Sequence, residues 1–386
     1  MRVLPSSARF WWGRPFRLPV LFISMPLFVF AQRFTIGDID AEKPAGQLLQ
    51  QIGQEADEAK KLALLEQFVA KFPDEKAVPA VYDQMQAIYI KTNQYDKVIA
   101  NTEKLLGIEP LYDVAAHQAL KAAEAKKDTD LIKKWAGILA QTTQKVISSP
   151  QPKSADDVKQ WKDRVDWSTQ AKMYADYSLF AASLQATDAN KKIELIQALE
   201  AQNPQSQYLA QTTLPLFFAY RQAGANDKAL ALAEKVIATD QSNEDMLLLV
   251  SDNYLQNKKE PDKVHAYSAK IVEIMNAKPK PEGVNDADWQ ARKKAITGVA
   301  YYMSGKLYFT QNKFADTDKQ LRPALPLVQA ALKPEVLFYL ALANYKLDKP
   351  QEAANFNREC AAIKSPFAAT CAKNLAAIRS QYRGLK

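Results

Sequence analysis

The sequence predicts an all-α protein, an α-solenoid of about seven to eight helix hairpins closed by a C-terminal capping helix. Three observations predict it. From about residue 44 onward apolar residues recur at helical spacing, with no alternating run that reads as a strand. Glycine is scarce, 11 in 386 residues, where an average chain of this length carries roughly 27. Tight turns and phosphate loops rely on glycine, so its scarcity suits helices joined by short connections. Finally, the pattern returns on itself along the chain, the signature of a repeat architecture.

Residues 1–31 read as an address. They carry Arg2, Arg9, Arg14 and Arg17 without an acid, then the apolar run from Leu18 to Ala31. That run is too short to cross a bilayer as a helix, which takes about 20 residues. Val29 and Ala31 sit at the −3 and −1 positions of a cleavage before Gln32, the layout of a signal peptide. The alternative is a retained N-terminal membrane anchor. No cysteine follows the run to carry a lipid, and no second long apolar segment occurs, so the mature chain is expected to have no transmembrane domain. Removing residues 1–31 lowers the formal net charge from +8 to +4. The remaining lysine pairs, such as Lys133-Lys134 and Lys191-Lys192, lie near acids and read as solvated helix faces. An arginine-rich patch with stacking aromatics, which a nucleic-acid surface requires, is not present.

After a linker over 32–43, the repeat begins. Tyr82, Met85 and Tyr89 lead to Asn93-Gln-Tyr95, then Val98 and Pro110. Phe217-Phe-Ala-Tyr220 precedes Gly224, Ala229 and Ala233, and Tyr220 recurs one period later as Tyr254. Tyr301 to Tyr308, with Gly305, leads to Lys313-Phe314. Val336 to Tyr345 leads to Pro350 and Ala354, and the unit closes at Pro366. Half-matches end at Phe68…Pro73 and Leu199…Pro204. This pattern resembles the tetratricopeptide repeat (TPR), a helix–turn–helix of about 34 residues. The resemblance implies a right-handed superhelix over 44–386, in which small residues let helices approach and tyrosines fill the seams between hairpins. Gln86 and Val98 stand where the family has small residues.

Two modules break the period. Pro150 and Pro152 precede Trp161-x-x-Arg164 and a helix to about Gln185, within a module spanning roughly 154–204. Pro279 and Pro281 precede Trp289-x-x-Arg292 and a helix to about Gln311, within 285–331. When the modules are aligned on Trp161 and Trp289, Tyr174 meets Tyr302 and Phe180 meets Tyr308; a duplication accounts for this, with chance similarity among helices as the alternative. Pro323 and Pro326 fall where the second helix is expected, so that helix should start late, kink or be split. Cys360 and Cys371 lie on either side of Pro366 at nearly equal distances, placed to face each other across a turn. In an exported chain they are expected as a disulfide, with two reduced buried cysteines as the alternative. Residues 367–383, with Leu375, Ile378, Tyr382, Lys373, Arg379 and Arg383, read as the capping helix, and Lys386 ends the chain.

Catalytic chemistry finds little material. The two histidines, His117 and His265, sit on separate helical patterns and read as packing or surface residues. GxxxxGK[ST], GxGxxG, GxSxG and HExxH are absent. Asp156, Asp157 and Glu352 fit helix N-termini. The expectation is therefore no catalytic residue, no metal and no cofactor. In the TPR family the first helices line a concave groove that holds peptides or partner helices. Here that implies a groove lined by Leu214, Phe218, Arg221, Leu248, Asp252, Leu255, Tyr302, Lys306, Phe309, Tyr339, Ala343 and Lys346. The asparagine–lysine set of the chaperone-binding members is missing from these positions. The expected function is an exported, non-catalytic protein–protein scaffold in the periplasm or cell envelope, or secreted, holding a peptide or protein partner and no nucleic acid. The alternatives are an envelope assembly factor tethered by an uncleaved anchor, and a substrate-binding subunit of an envelope enzyme.

Overall fold

The computed structural model describes residues 40–382. The expected signal segment, most of the expected linker, Arg383 and Lys386 lie outside the described residues. Every secondary-structure element among the described residues is a helix, seventeen in all. They fall into two compact units that meet in sequence at Gly224–Ala225.

The first unit holds α1 (Pro44–Gln54), α2 (Glu58–Lys71), α3 (Val78–Lys91), α4 (Tyr95–Ile108), α5 (Asp113–Ala125), α6 (Thr129–Ile147), α7 (Ala155–Gln185), α8 (Ala189–Gln202) and α9 (Leu209–Gln222). The second holds α10 (Asn226–Ile237), α11 (Glu244–Gln256), α12 (Pro261–Ala277), α13 (Asp286–Thr310), α14 (Phe314–Ala324), α15 (Lys333–Lys346), α16 (Pro350–Ala362) and α17 (Ala368–Gln381). Within each unit a helix packs chiefly on its predecessor and its successor. Odd-numbered first helices also touch one another, α5 with α7 and α7 with α9, then α11 with α13 and α13 with α15. That is a stack of hairpins, each completing the core of the next.

Local chemistry sets the boundaries. Side chains of Asp57, Asp128, Asp188, Asn243 and Asn285 accept hydrogen bonds from the free backbone N–H groups that open α2, α6, α8, α11 and α13. Proline stands in the first turn of α1, α3, α12, α15 and α16, where its missing N–H costs nothing. The turn from first to second helix recurs with a left-handed residue at one place: Asn93, Lys127, Gly224, Lys258, Asn312 and Asp348, with φ from 55° to 73°, and the α11–α12 turn adds Glu260 at φ 44°. Asn93 to Lys127 and Gly224 to Lys258 are each one repeat period, so the turn marks the repeat as clearly as the tyrosines do.

The seams also recur. The Tyr89 hydroxyl donates to Glu66 Oε1 at 2.8 Å, Gln197 reaches the Tyr220 hydroxyl at 3.4 Å, and Tyr308 stacks on His265 at 3.8 Å. In each case a tyrosine of a first helix meets the second helix of the preceding hairpin. Tyr345 instead turns toward α17 and donates to Gln381 at 2.8 Å. Ala115, Ala116, Ala119, Ala123, Ala229, Ala233, Ala353 and Ala354 are fully buried, as close helix approach requires.

One expectation needs correcting. Of the late start, kink or split expected for α14, the late start and the split do not occur: it opens at Phe314 directly after the turn and stops at Ala324, one residue past Pro323. Proline in the last turn forfeits one backbone bond and ends the helix early. The chain beyond it runs against α13, where a Cβ on Gly298 would lie 2.8 Å from the Leu327 carbonyl carbon.

The two long helices share a device. Trp161 Nε1 donates to Ser149 Oγ at 3.0 Å, and Arg164 Nη2 donates to the Leu111 carbonyl at 2.9 Å, just ahead of α5. In the second unit Trp289 is buried, and Arg292 Nη2 bonds Asp245 Oδ2 at 2.7 Å and Glu244 Oε1 at 3.1 Å, at the start of α11. In each Trp-x-x-Arg the arginine thus ties the added turns of a long helix to the start of the preceding first helix.

Candidate partner-binding face

In the second unit, Tyr302, Lys306 and Phe309 fall at i, i+4 and i+7 of α13 and so share one stripe. Glu335 and Tyr339 share a stripe of α15 in the same way. Lys306 Nζ donates to Glu335 Oε1 at 2.8 Å and to the Tyr302 hydroxyl at 3.0 Å. The ammonium lies 5.5 Å from the Tyr302 ring centre and 5.9 Å from that of Tyr339, a cation–π arrangement. Burial pushes the Tyr302 phenol well above its ordinary range, and the Glu335 carboxylate beside it adds to the shift. Burial raises Tyr339 as well.

Ring contacts then run without a break across four elements. Phe314 meets Phe309 at 5.7 Å, Phe309 meets Tyr339 at 4.9 Å, Tyr339 meets Phe338 at 5.5 Å and Phe338 meets Phe367 at 5.2 Å. All five are half-buried, so each keeps part of a ring toward solvent. With Lys306 already matched to Glu335, this shelf offers apolar area, with an exposed cation, Lys346, further along α15.

The structure sorts the expected groove residues. Tyr302 and Ala343 are fully buried and Leu248 is 7% exposed, which corrects their expected place: these three pack between helices and present no surface to a ligand. Asp252, Leu255, Lys306, Phe309 and Tyr339 are half-buried and Lys346 is exposed. Leu214, Phe218 and Arg221 are half-buried on α9 in the first unit, where Phe218 meets Phe217 edge-on at 5.3 Å. Cys360 and Cys371 are joined in a disulfide, Cα–Cα 5.9 Å, both fully buried beside Leu337, Phe338 and Phe367.

Sequence reasoning missed a second shelf, in the first unit. Trp167 meets His117 at 5.8 Å, His117 meets Tyr174 at 5.2 Å, Tyr174 meets Tyr177 at 6.2 Å, Tyr177 meets Tyr208 at 5.8 Å and Tyr208 stacks on Phe180 at 5.1 Å. These rings come from α5, α7 and the residue before α9, again the first-helix side. Here too a lysine lies on a tyrosine beside a glutamate: Lys121 Nζ is 4.8 Å from the Tyr174 ring centre and 2.8 Å from its hydroxyl, which donates to Glu124 Oε2 at 2.5 Å. The signal was the correspondence of Tyr174 with Tyr302 between the two long-helix modules. His117 is held neutral: burial, helped by the Lys121 charge, lowers it to about 4.

The opposite, second-helix side of the first unit is sewn by ion pairs. Lys97 of α4 meets Glu66 of α2 at 3.0 Å, Lys134 of α6 meets Glu103 of α4 at 2.7 Å, and Lys191 of α8 meets Asp130 of α6 at 2.8 Å. Lys133 and Glu194 add a further pair. The first two pairs repeat at a separation of 31 residues.

Among the described residues no three His, Cys, Asp or Glu side chains gather as metal ligands, and no helix is long and apolar enough to cross a membrane. No protein-family model and no curated protein matches the chain. Among solved structures the chain is similar to yeast Tom70, at 10% identity and a TM-score of 0.34, covering 89% of this chain and 97% of that one. It is also similar to the TPR domain of P58(IPK), at 11% identity and 0.28, covering 89% and 100%. A third is the Cut9–Hcn1 hetero-tetramer of the APC/C, at 14% and 0.32, covering 87% and 56%. These superpositions are loose; the hairpin architecture stands on the packing described above.

Proposed function

We propose that the chain is a non-catalytic scaffold that holds a peptide or protein segment against its first-helix aromatic shelves, in the periplasm or cell envelope after export. One observation carries the reading: each unit keeps a continuous row of half-exposed rings on its first-helix side, whereas the second-helix side of the first unit is closed by matched charges. Partly exposed aromatic rings are the surface that binding most rewards. Both cysteines are in the disulfide, and His117 is flanked by rings, its buried Nε2 making no hydrogen bond. Export rests on the basic start, apolar run and small-residue end of residues 1–31.

Two experiments test this. N-terminal sequencing of the protein from its host separates a cleaved, exported chain beginning at Gln32 from a tethered one. Affinity capture is then compared between wild type and the Phe309→Ala/Tyr339→Ala pair. A stoichiometric partner lost in the double variant, with folding retained, supports the scaffold. Unchanged capture by the double variant refutes the shelf as the binding face.

A further inference from the structure

From Cys360 to its end the chain carries five basic residues, Lys364, Lys373, Arg379, Arg383 and Lys386, and no acid. Several lysines elsewhere are matched across helices, as in the ladder of the first unit. The nearest acid before this stretch, Glu359, is exposed and follows the exposed Arg358; further back, Glu352 is bonded by Arg322 and Asp348 accepts from the Tyr382 hydroxyl at 3.3 Å. Lys364, Lys373 and Arg379 are exposed.

The helix that bears two of them is firmly seated. α17 turns Cys371 and Ile378 inward, and the disulfide to Cys360 pins it. Its outward side shows Ala369, Ala372, Ala376 and Ala377 between Lys373 and Arg379. That face has positive charge and no ring or large apolar side chain, so it offers no socket for the side chains of a peptide. It complements negative charge spread over a flat surface.

We propose that the outer face of α17 docks the chain on an anionic phospholipid bilayer through headgroup phosphates. Such attraction is electrostatic, falls off within a Debye length and is worth about fivefold in partitioning for each basic residue close to the surface. The contact is peripheral, and it is independent of what the aromatic shelves hold.

The test uses the whole chain with vesicles of phosphatidylcholine containing about a third phosphatidylglycerol, against phosphatidylcholine alone. The readouts are co-sedimentation and hydrogen exchange of α17, so that contact through the N-terminal segment is told apart. We expect α17 to gain protection with anionic vesicles at low salt, and to lose it in 0.5 M NaCl and on neutral vesicles. The triple variant Lys364→Gln/Lys373→Gln/Arg379→Gln should weaken the anionic component by roughly 100-fold, taking a fivefold loss per charge. A charge-matched control, Lys235→Gln/Lys259→Gln/Lys319→Gln, should keep it. Retention of the disulfide and of helical circular dichroism establishes that both variants fold. The proposal is overturned if α17 gains no protection on anionic vesicles, if the triple variant binds like wild type, or if soluble polyglutamate protects α17 where vesicles do not. That last result would assign the face to an acidic protein segment.

Discussion

Replacing Arg292 by methionine tests the joint between α11 and α13. Arg292 bonds Asp245 Oδ2 at 2.7 Å and Glu244 Oε1 at 3.1 Å, while Lys278 independently holds Glu244 at 2.7 Å. Removing the guanidinium therefore leaves Glu244 matched and strands Asp245. Burial already raises the Asp245 carboxyl against the opposing pull of Arg292, so the variant raises it further. Breaking a fully buried pair costs about 3–5 kcal/mol. The Arg292 side chain is 33% exposed, so water softens the loss to about 2–3 kcal/mol at pH 7.

The sign of the pH dependence is specific. A carboxyl whose folded pKa is raised binds its proton more tightly in the native state, so its penalty is largest above that pKa and is relieved as pH falls through it. Protonating an ordinary carboxyl costs about 4 kcal/mol at pH 7 but only about 1.5 kcal/mol at pH 5, which caps the penalty at each pH. The variant should thus fall to within about 1.5 kcal/mol of wild type at pH 5. Urea unfolding at the two pH values measures this, with hydrogen exchange of α11 and α13 locating it. A loss under about 0.5 kcal/mol at pH 7, the worth of an ordinary exposed pair, refutes the reasoning. So does a loss that fails to shrink at pH 5. Asp245→Asn combined with Arg292→Met should recover most of the stability.

Other predictions follow from particular residues. Lys127 and Lys258 hold φ 55°, a left-handed conformation that costs a side-chain-bearing residue about 1–2 kcal/mol; Lys→Gly at either should raise stability by about 0.5–1 kcal/mol in urea melts. His117, lowered to about 4, is neutral in the native state, so stability should be full above pH 6.5 and fall by about 2–3 kcal/mol on acidification to pH 4. His117→Gln should remove that slope, and the histidine's NMR titration gives the value directly. Reducing Cys360–Cys371, or replacing both with serine, should cost about 2–3 kcal/mol and raise hydrogen exchange in α17 while α13 is unaffected.

Much of the fold was legible because a hairpin repeat writes itself in short-range chemistry. Tyr89, Tyr220, Tyr254 and Tyr308 fall at one place in their units, and each fixes a helix face. The position of Pro323 was read but its effect was not: a proline near a helix end shortens the helix, whereas only one further inside would have split it. Groove residues were harder. Helical period assigns Tyr302, Leu248 and Ala343 to the first-helix side, but their depth depends on how far the next hairpin overlaps them, which no local pattern encodes. The partners of Arg292 lie 47 and 48 residues away, so Trp-x-x-Arg was visible as a motif while its role as a clamp was not. The shelf through His117 and Tyr174 was hidden for a similar reason, since it joins α5 to α7 across the whole of α6.

Site-specific photo-cross-linking in the native host tests the central claim most directly. A benzophenone side chain is placed at Phe309, at Tyr339 or at the second-helix residue Lys235. The account predicts one discrete adduct from Phe309 and Tyr339 and none from Lys235. An adduct from Lys235 with none from either shelf position would contradict it.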